Sequence, residues 1–176
     1  QRKVNVFARE MADKMKWQKP VAVHHHMLMA LTQIDTSAEG VERKIEMKMS
    51  KSKPDSAIFM TDSSEEIKRK ISKAYCPEKQ VQDNPVLEYC KYIVFEKLAE
   101  KKGKAFEVGR PAKFGGNASY NSYAELEADF VAGKLHPMDL KASTAKYIDE
   151  LISPVRGHFE KNAKAKALLE EINSFK

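Results

Sequence analysis

Two lysines separated by two residues lie in a short polar stretch, Lys48-Met49-Ser50-Lys51-Ser52. Their ammonium groups, together with the hydroxyl groups of Ser50 and Ser52, are donors that suit phosphate oxygens. Lys53-Pro54-Asp55 follows at once and favours a turn. We therefore predict a flexible loop that binds a polyphosphate transiently. A solvated, lysine-rich surface loop is the alternative, because such spacings of lysine are common.

Three adjacent histidines, His24 to His26, form the second group with chemical potential. Imidazole nitrogens bind Zn²⁺, but consecutive side chains point in different directions and rarely converge on one ion. The histidines follow the apolar run Pro20–Val23, which predicts a buried strand, most naturally the last strand of a parallel sheet. Ligands of α/β folds bind beyond the carboxyl ends of such strands. We therefore expect these histidines to border a ligand site, and no metal.

The composition is that of a basic protein with enough apolar residues for a core. The 176 residues include 31 basic and 25 acidic side chains, a net charge of +6, which is compatible with an RNA partner without being diagnostic. No apolar run approaches a membrane span, and no secretory signal is visible. Cys76 and Cys90 are expected to be reduced thiols in a cytoplasmic protein. Because the chain begins with Gln1, we expect it to start part-way through a larger protein.

The first 61 residues predict part of an α/β fold. Apolar residues from Arg2 to Met15 have helical spacing, and the strand at residues 20–23 follows them. One helix and one strand cannot make a sheet, so partner strands are expected outside this sequence. The polar span 33–46 predicts a surface loop or a mobile hairpin, and Ala57–Met60 is expected to be strand-like or extended.

Residues 62–176 predict a helical domain. Asp62 and Glu65 have the spacing of a capping box at the start of its first helix. The other predicted helix starts are marked by cap residues and prolines: Asn84-Pro85, Ser122 with Glu125, and His136-Pro137. Ser153-Pro154 is expected to interrupt the helix that begins at His136-Pro137. We therefore predict a mainly α fold, with residues 1–61 and 62–176 as two units.

Several sequence blocks resemble the tyrosyl-tRNA synthetases of the archaeal and eukaryotic type, in order and over nearly the whole chain. Lys48–Ser52 is similar to the KMSKS loop of class I aminoacyl-tRNA synthetases. The other matching blocks are Gln1-Arg2-Lys3, Lys73-Ala74-Tyr75-Cys76-Pro77, Asn84-Pro85-Val86-Leu87, Phe114-Gly115-Gly116-Asn117, Asn121-Ser122-Tyr123 and His136-Pro137-Met138-Asp139-Leu140-Lys141. The loop alone is shared with other class I enzymes, whereas the combination is specific. The resemblance implies the last helix, strand and loop of a Rossmann-type α/β catalytic domain, followed by a helical anticodon-binding domain.

The resemblance also implies a tyrosine–tRNA ligase, which activates tyrosine with ATP and Mg²⁺ and transfers it to tRNA(Tyr). Catalytic roles are implied for the polar residues of the loop, Lys48, Ser50, Lys51 and Ser52. Contacts with ATP are implied for His24, Met27, Met49 and Lys51, and a contact with tyrosine for Gln1. Contacts with the anticodon are implied for Phe114 and His136, by stacking on bases, and for Asp139, by pairing with a guanine. The family is homodimeric, so a homodimer of the full-length protein is implied.

Alternatives remain open for the whole chain and for two residues. The family's other catalytic element, a His-x-Gly-His motif, does not occur in this sequence. A non-catalytic tRNA-binding module is therefore the second hypothesis, and the related tryptophanyl-tRNA synthetase is the third. Asp139 lies early in a predicted helix, where an acidic side chain also favours the positive end of the helix dipole. An exposed helix residue is the alternative for Gln1.

Overall fold

The computed structural model describes residues 2–33, 47–101 and 103–175, which are mainly helical. Within these ranges the α-helices are, in chain order, α1 (Arg2–Lys14), α2 (Ser64–Lys73), α3 (Pro85–Tyr89), α4 (Phe95–Ala99), α5 (Tyr123–Val131), α6 (Pro137–Lys161) and α7 (Ala163–Ser174). A π-helical turn, Cys90–Val94, joins α3 to α4. Short 3₁₀ turns lie at Pro54–Ser56 and Ala112–Phe114. Strands β1 (Phe106–Val108) and β2 (Ala118–Tyr120) pair antiparallel.

Capping side chains explain where α3 and α5 begin. The Oδ1 atom of Asn84 accepts the Leu87 N–H at 3.2 Å, and Pro85 occupies the first helical position. The hydroxyl of Ser122 accepts the Glu125 N–H at 3.3 Å. Both predicted starts are therefore confirmed.

The start of α2 differs from the prediction by one residue. Ser63 is the N-cap, because its hydroxyl accepts the Glu66 N–H at 3.2 Å. The carboxylate of Asp62 instead accepts hydrogen bonds from the Lys70 ammonium group at 2.6 Å and from the Phe59 N–H at 2.9 Å. An unpaired buried ammonium group is more costly than an uncapped N–H at a helix end, so the buried lysine takes this carboxylate.

The predicted interruption at Pro154 is wrong, because α6 continues through this residue to Lys161. A proline lacks the N–H that would bond to the Glu150 carbonyl one turn earlier. The hydroxyl of Ser153 donates to that carbonyl at 3.1 Å. The serine thus satisfies the acceptor that the proline leaves open, and the helix is not broken.

The predicted strand at Pro20–Val23 is also wrong in this structure. Val21 and Val23 are 90% and 87% exposed, and the segment pairs with no strand in the described part of the chain. Without a neighbouring strand, an extended segment cannot form the ladder of hydrogen bonds that defines a sheet. Ala57–Met60 forms no strand either, because Ala57 is extended but the segment ends in a turn at Met60. The sheet that the described residues do contain is the β1–β2 hairpin.

The hydrophobic core lies between the helices α2 to α6 and the β1–β2 hairpin. Its largest fully buried side chains are Leu31, Ile67, Ile71, Leu87, Phe106, Leu126, Phe130, Leu135 and Leu140. In contrast, α1 buries Ala12 and leaves Val4 and Phe7 exposed. Both cysteines have free thiols, and no described helix is long and apolar enough to cross a membrane. The core therefore supports the lysine loop and the start of α6 in one packed unit.

Candidate functional site

The lysine loop, residues 48–52, projects from a pair of hydrogen-bonded segments. Lys48 lies opposite Met29 in an antiparallel bridge, and the Ala30 N–H donates to the Met47 carbonyl at 2.8 Å. The loop then closes on itself, because the Lys53 N–H donates to the Ser50 carbonyl at 3.1 Å. Its base is therefore fixed by backbone hydrogen bonds, while its tip remains accessible.

The tip presents the side chains that could bind an anion. Lys48, Lys51 and Ser52 are exposed, and neither lysine forms an ion pair with another described residue. The hydroxyl oxygen of Ser50 accepts the Ser52 N–H at 3.3 Å, which leaves the Ser50 O–H free to donate. Two exposed ammonium groups on one short turn form a positive surface suited to a polyphosphate.

The residue that holds the loop from its buried side was not among the predicted site residues. Ser56 is 1% exposed, and its hydroxyl accepts the Ser50 N–H at 3.0 Å and donates to the Lys53 carbonyl at 2.6 Å. Its own carbonyl accepts the Leu31 N–H at 2.9 Å. The available signal was a serine one turn after Lys53-Pro54, but serine is common in such turns.

Helix α3 holds the segment that pairs with Lys48. The Glu88 carboxylate accepts the Met29 N–H at 3.0 Å through Oε2 and lies 3.2 Å from His26 Nε2 through Oε1. The neighbouring Tyr89 hydroxyl donates to the sulfur of Met49 at 3.7 Å, and burial raises the pKa of this tyrosine to about 12. These contacts join residues 40 to 62 positions apart, so the sequence could not reveal them.

The three consecutive histidines have three different environments. His24 Nε2 lies 3.3 Å from the side-chain amide of Asn5 on α1, and His25 contacts the His26 carbonyl. The ring of His26 stacks on Tyr92 with 3.9 Å between centroids. No group of three metal-ligating side chains occurs among the described residues. His24 and Met27 are exposed, and no hydrogen bond joins either side chain to the lysine loop within these residues.

The second candidate surface begins at Phe114, whose exposed ring ends a 3₁₀ turn. Gly115 and Gly116 follow with φ of 98° and 71°, a left-handed conformation that favours glycine. Arg110 links this turn to the start of α6. Its guanidinium donates to the Gly116 carbonyl and to the Lys134 carbonyl, both at 2.6 Å. The sequence did not single out Arg110, because its partners are backbone carbonyls, which every residue carries.

His136 is the N-cap of α6, as its place before Pro137 predicts. Its Nδ1 accepts the Met138 N–H at 3.2 Å, and its Nε2 lies 3.3 Å from the Glu78 carboxylate. Asp139 follows in the first turn with a partly exposed side chain, and its N–H donates to the His136 carbonyl. No described residue forms a hydrogen bond or ion pair with the Asp139 carboxylate. Phe114, His136 and Asp139 therefore offer an accessible ring, imidazole and carboxylate, and Arg110 connects the turn at Phe114 to the segment before α6.

A partly buried polar network connects the residues after the lysine loop to the far end of α6. Arg156 donates to the Asp62 carbonyl at 3.0 Å and to the Asp149 carboxylate at 2.8 Å. The same carboxylate accepts the Ser64 hydroxyl at 2.8 Å. Helix α6 therefore contacts the segment that follows the lysine loop, and His136 caps its other end. Gln1 and the predicted surface loop at 34–46 lie outside the described residues.

Comparison with known proteins identifies the family of the chain. The family model of the class I tRNA synthetases for tryptophan and tyrosine (W and Y) matches residues 1–153, and the chain belongs to this family. The tyrosine–tRNA ligase of Thermococcus kodakarensis is 46% identical over 98% of the chain, which covers 48% of that relative. The corresponding ligase of Pyrococcus horikoshii is 44% identical over the same share of both proteins. The chain thus spans about half the length of the curated relatives that it matches.

Solved structures give the same result. The tyrosyl-tRNA synthetase of Pyrococcus horikoshii, solved in complex with L-tyrosine, superposes with a TM-score of 0.81 and 43% identity over 97% of this chain and 49% of that one. The enzyme of Leishmania major, in complex with tyrosinol, has a TM-score of 0.76 and 36% identity over the whole of this chain and 29% of its own. The resemblance to the tyrosyl branch of the family is therefore confirmed.

Proposed function

We propose that the chain is part of a tyrosine–tRNA ligase, to which it contributes the phosphate-binding loop and the anticodon-binding surface. The observation that carries the proposal is the pair of exposed ammonium groups, Lys48 and Lys51, on a loop whose base is fixed by hydrogen bonds. In the reaction, the carboxylate of tyrosine attacks the α-phosphorus of ATP to give tyrosyl-adenylate and pyrophosphate. The tyrosyl group is then transferred to tRNA(Tyr).

In the first step, negative charge grows on the departing phosphates, and preorganised cations stabilise it most effectively. Lys48 and Lys51 would supply these cations, each with about 2–4 kcal/mol by analogy with the loss of one oxyanion donor. Ser50 and Ser52 would donate their hydroxyls to phosphate oxygens. Since the lysines have no described carboxylate partner, no ion pair among these residues has to break before phosphate binds.

The remaining parts of the active site are proposed from the family resemblance. His24, Met27 and Met49 would contact ATP, and Gln1 would contact tyrosine. The described residues contain no cluster of carboxylates for Mg²⁺, which proteins commonly hold through substrate phosphates and water. Mg²⁺ therefore fits as a companion of ATP, where it would shield phosphate charge. In the same proposal residues 1–61 belong to a Rossmann-type catalytic domain, residues 62–176 form the anticodon-binding domain, and the full-length protein is a homodimer.

Asp139 would recognise the first anticodon base. The Watson–Crick edge of guanine presents two adjacent donors, and a carboxylate is an acceptor with two oxygens. Its partial exposure and the lack of a described partner leave both oxygens available. Phe114 and His136 would stack on unpaired bases, a contact worth about 1–3 kcal/mol per base. Asp139 can also favour the amino-terminal end of α6, and the two roles are compatible.

The test of the ligase is ATP–pyrophosphate exchange with tyrosine or tryptophan, with and without the remaining half of a relative such as the Thermococcus kodakarensis ligase. Tyrosine-dependent exchange supports the proposal, and its loss in Lys51→Ala assigns the loop. Tryptophan-dependent exchange would identify the other branch of the family. If no exchange occurs while tRNA binding persists, the chain is a tRNA-binding module instead.

The test of the anticodon contact compares Asp139→Ala with Glu160→Ala, an exposed acid near the other end of α6. Binding of anticodon stem-loops with each of the four bases at the first anticodon position is measured. We expect Asp139→Ala to weaken binding mainly when this base is guanine, and Glu160→Ala to have no base preference. Equal losses with every base would exclude the direct contact.

A further inference from the structure

One buried polar side chain near the lysine loop has no place in the proposed chemistry. Ser56 is 1% exposed, so its hydroxyl cannot contact substrate from solvent. The hydroxyl nevertheless both donates and accepts hydrogen bonds within the loop. It accepts the Ser50 N–H at 3.0 Å and donates to the Lys53 carbonyl at 2.6 Å, with the Ser50 carbonyl at 3.3 Å.

These hydrogen bonds join the two ends of the turn that carries Lys51. Ser50 precedes the tip and Lys53 follows it, and their direct hydrogen bond is 3.1 Å long. The Ser56 hydroxyl adds a second connection between the same two residues from the buried side. A four-residue turn held by a buried hydroxyl has far fewer conformations than one held by a single solvent-exposed hydrogen bond.

The backbone of Ser56 also binds residues 29–31, the segment that pairs with Lys48. Its carbonyl accepts the Leu31 N–H at 2.9 Å, while the adjacent Ala30 N–H donates to Met47, the residue before Lys48. Residues 29–31 are thus hydrogen-bonded to both arms of the loop. Ser56 is the one described residue whose backbone is hydrogen-bonded to residues 29–31 and whose side chain is hydrogen-bonded to the turn from Ser50 to Lys53.

We propose that Ser56 is a positioning residue that presents Lys48 and Lys51 together to a polyphosphate. The inference rests on the proposed function, in which these lysines bind phosphate. Closing the loop before binding matters because a partly populated competent state weakens the apparent affinity in proportion to its population. The loss of the Ser56 hydroxyl would leave the Ser50 N–H without its buried acceptor and open the turn.

The experiment compares Ser56→Ala with Ser72→Ala in the 176-residue chain. Ser72 is a suitable control, because its exposed hydroxyl donates to the Arg69 carbonyl on α2, away from the loop. Hydrogen exchange of individual amides is measured by NMR, and inorganic tripolyphosphate at low salt is the binding probe. We expect Ser56→Ala to accelerate exchange at Ser50 roughly tenfold and to weaken tripolyphosphate binding about three- to tenfold. Amides in the middle of α6 should be unchanged, and Ser72→Ala should change neither quantity.

The outcomes separate the inference from the proposed function. Unchanged tripolyphosphate affinity in Ser56→Ala, or exchange that rises equally in α6, overturns the positioning role. Rapid exchange at Ser50 in the unsubstituted chain overturns it as well, and this measurement requires no variant to fold. Lys51→Ala tests the phosphate assignment itself. If it leaves the affinity unchanged, the proposed function of the loop fails, whereas exchange at Ser50 still reports on Ser56.

Discussion

Replacement of Lys70 by methionine tests whether a buried ion pair fixes the segment after the lysine loop. Lys70 is 3% exposed, and its ammonium group lies 2.6 Å from the Asp62 carboxylate, whose side chain is 11% exposed. The same group donates to the Ala57 carbonyl at 3.1 Å and lies 4.5 Å from the ring centroid of Phe59. Methionine fills a similar volume but leaves a nearly buried carboxylate without its cation.

The magnitude follows from these contacts. Removing one partner of a buried pair destabilises a protein by about 3–5 kcal/mol. Asp62 retains the Phe59 N–H at 2.9 Å, so we expect a loss of about 3 kcal/mol, the lower end of this range. For a chain of this length, such a loss lowers the melting temperature by roughly 6–12 °C. The double variant Asp62→Asn with Lys70→Met should recover part of the loss, because no unpaired charge remains.

Urea unfolding followed by circular dichroism measures these free energies, and Lys134→Met is the matched control. Lys134 forms an ion pair of 3.1 Å with Asp129, but its side chain is exposed. Exposed pairs contribute at most about 1 kcal/mol, so the control should change the free energy of unfolding little. If Lys70→Met cost no more than Lys134→Met, burial would not govern this pair and the argument would be refuted.

Three further predictions concern single side chains. The Arg69 guanidinium lowers the pKa of the Asp55 carboxyl through their hydrogen bonds. The pair therefore stabilises the fold above the ordinary pKa of aspartate, and this stabilisation is lost as the pH falls through the lowered pKa of Asp55. Arg69→Gln should return this pKa toward its ordinary value in an NMR titration, and no change would contradict the pairing. Burial raises the pKa of the Cys90 thiol to about 12. Iodoacetamide at pH 8.5 should therefore leave Cys90 unmodified until urea unfolds the chain. Mass spectrometry of the peptide that contains Cys90 measures this modification. Tyr147→Phe removes the hydroxyl that accepts the Glu107 N–H at 2.9 Å and should destabilise the chain by about 1–2 kcal/mol in urea; an unaltered unfolding midpoint would contradict this.

The sequence predicted well those features that depend on neighbouring residues. The helix starts at Asn84 and Ser122 are set by side chains that bond three positions ahead, so the pattern contained the whole interaction. The lysine loop was recognised in the same way, because its lysines and hydroxyls are consecutive. The family resemblance extended this recognition from the lysine loop to the whole chain. It required no knowledge of packing, since the matching blocks are short and ordered along the sequence.

Two local patterns led to wrong predictions, because another polar group took the expected partner or replaced it. Asp62 has the pattern of a cap, but the buried Lys70 takes its carboxylate, and Ser63 caps α2 instead. Pro154 has the pattern of a helix end, but the Ser153 hydroxyl satisfies the open carbonyl and α6 continues. Neither outcome follows from periodicity, because each depends on which polar groups become buried or unsatisfied in the folded chain.

The amino-acid sequence by itself thus determined the family, the local helix starts and the identity of the side chains that could bind phosphate and RNA. The tertiary structure decided how these side chains are held. Glu88 contacts Met29 from 59 positions away, and Arg110 joins two backbone carbonyls near Phe114 and His136. Residues 20–23 also show that tertiary structure decides the outcome. An apolar run becomes a strand only beside another strand, and this run has no neighbouring strand among the described residues. Hydrogen-bond partners are chosen by proximity after folding, and proximity is a property that the order of residues alone does not contain.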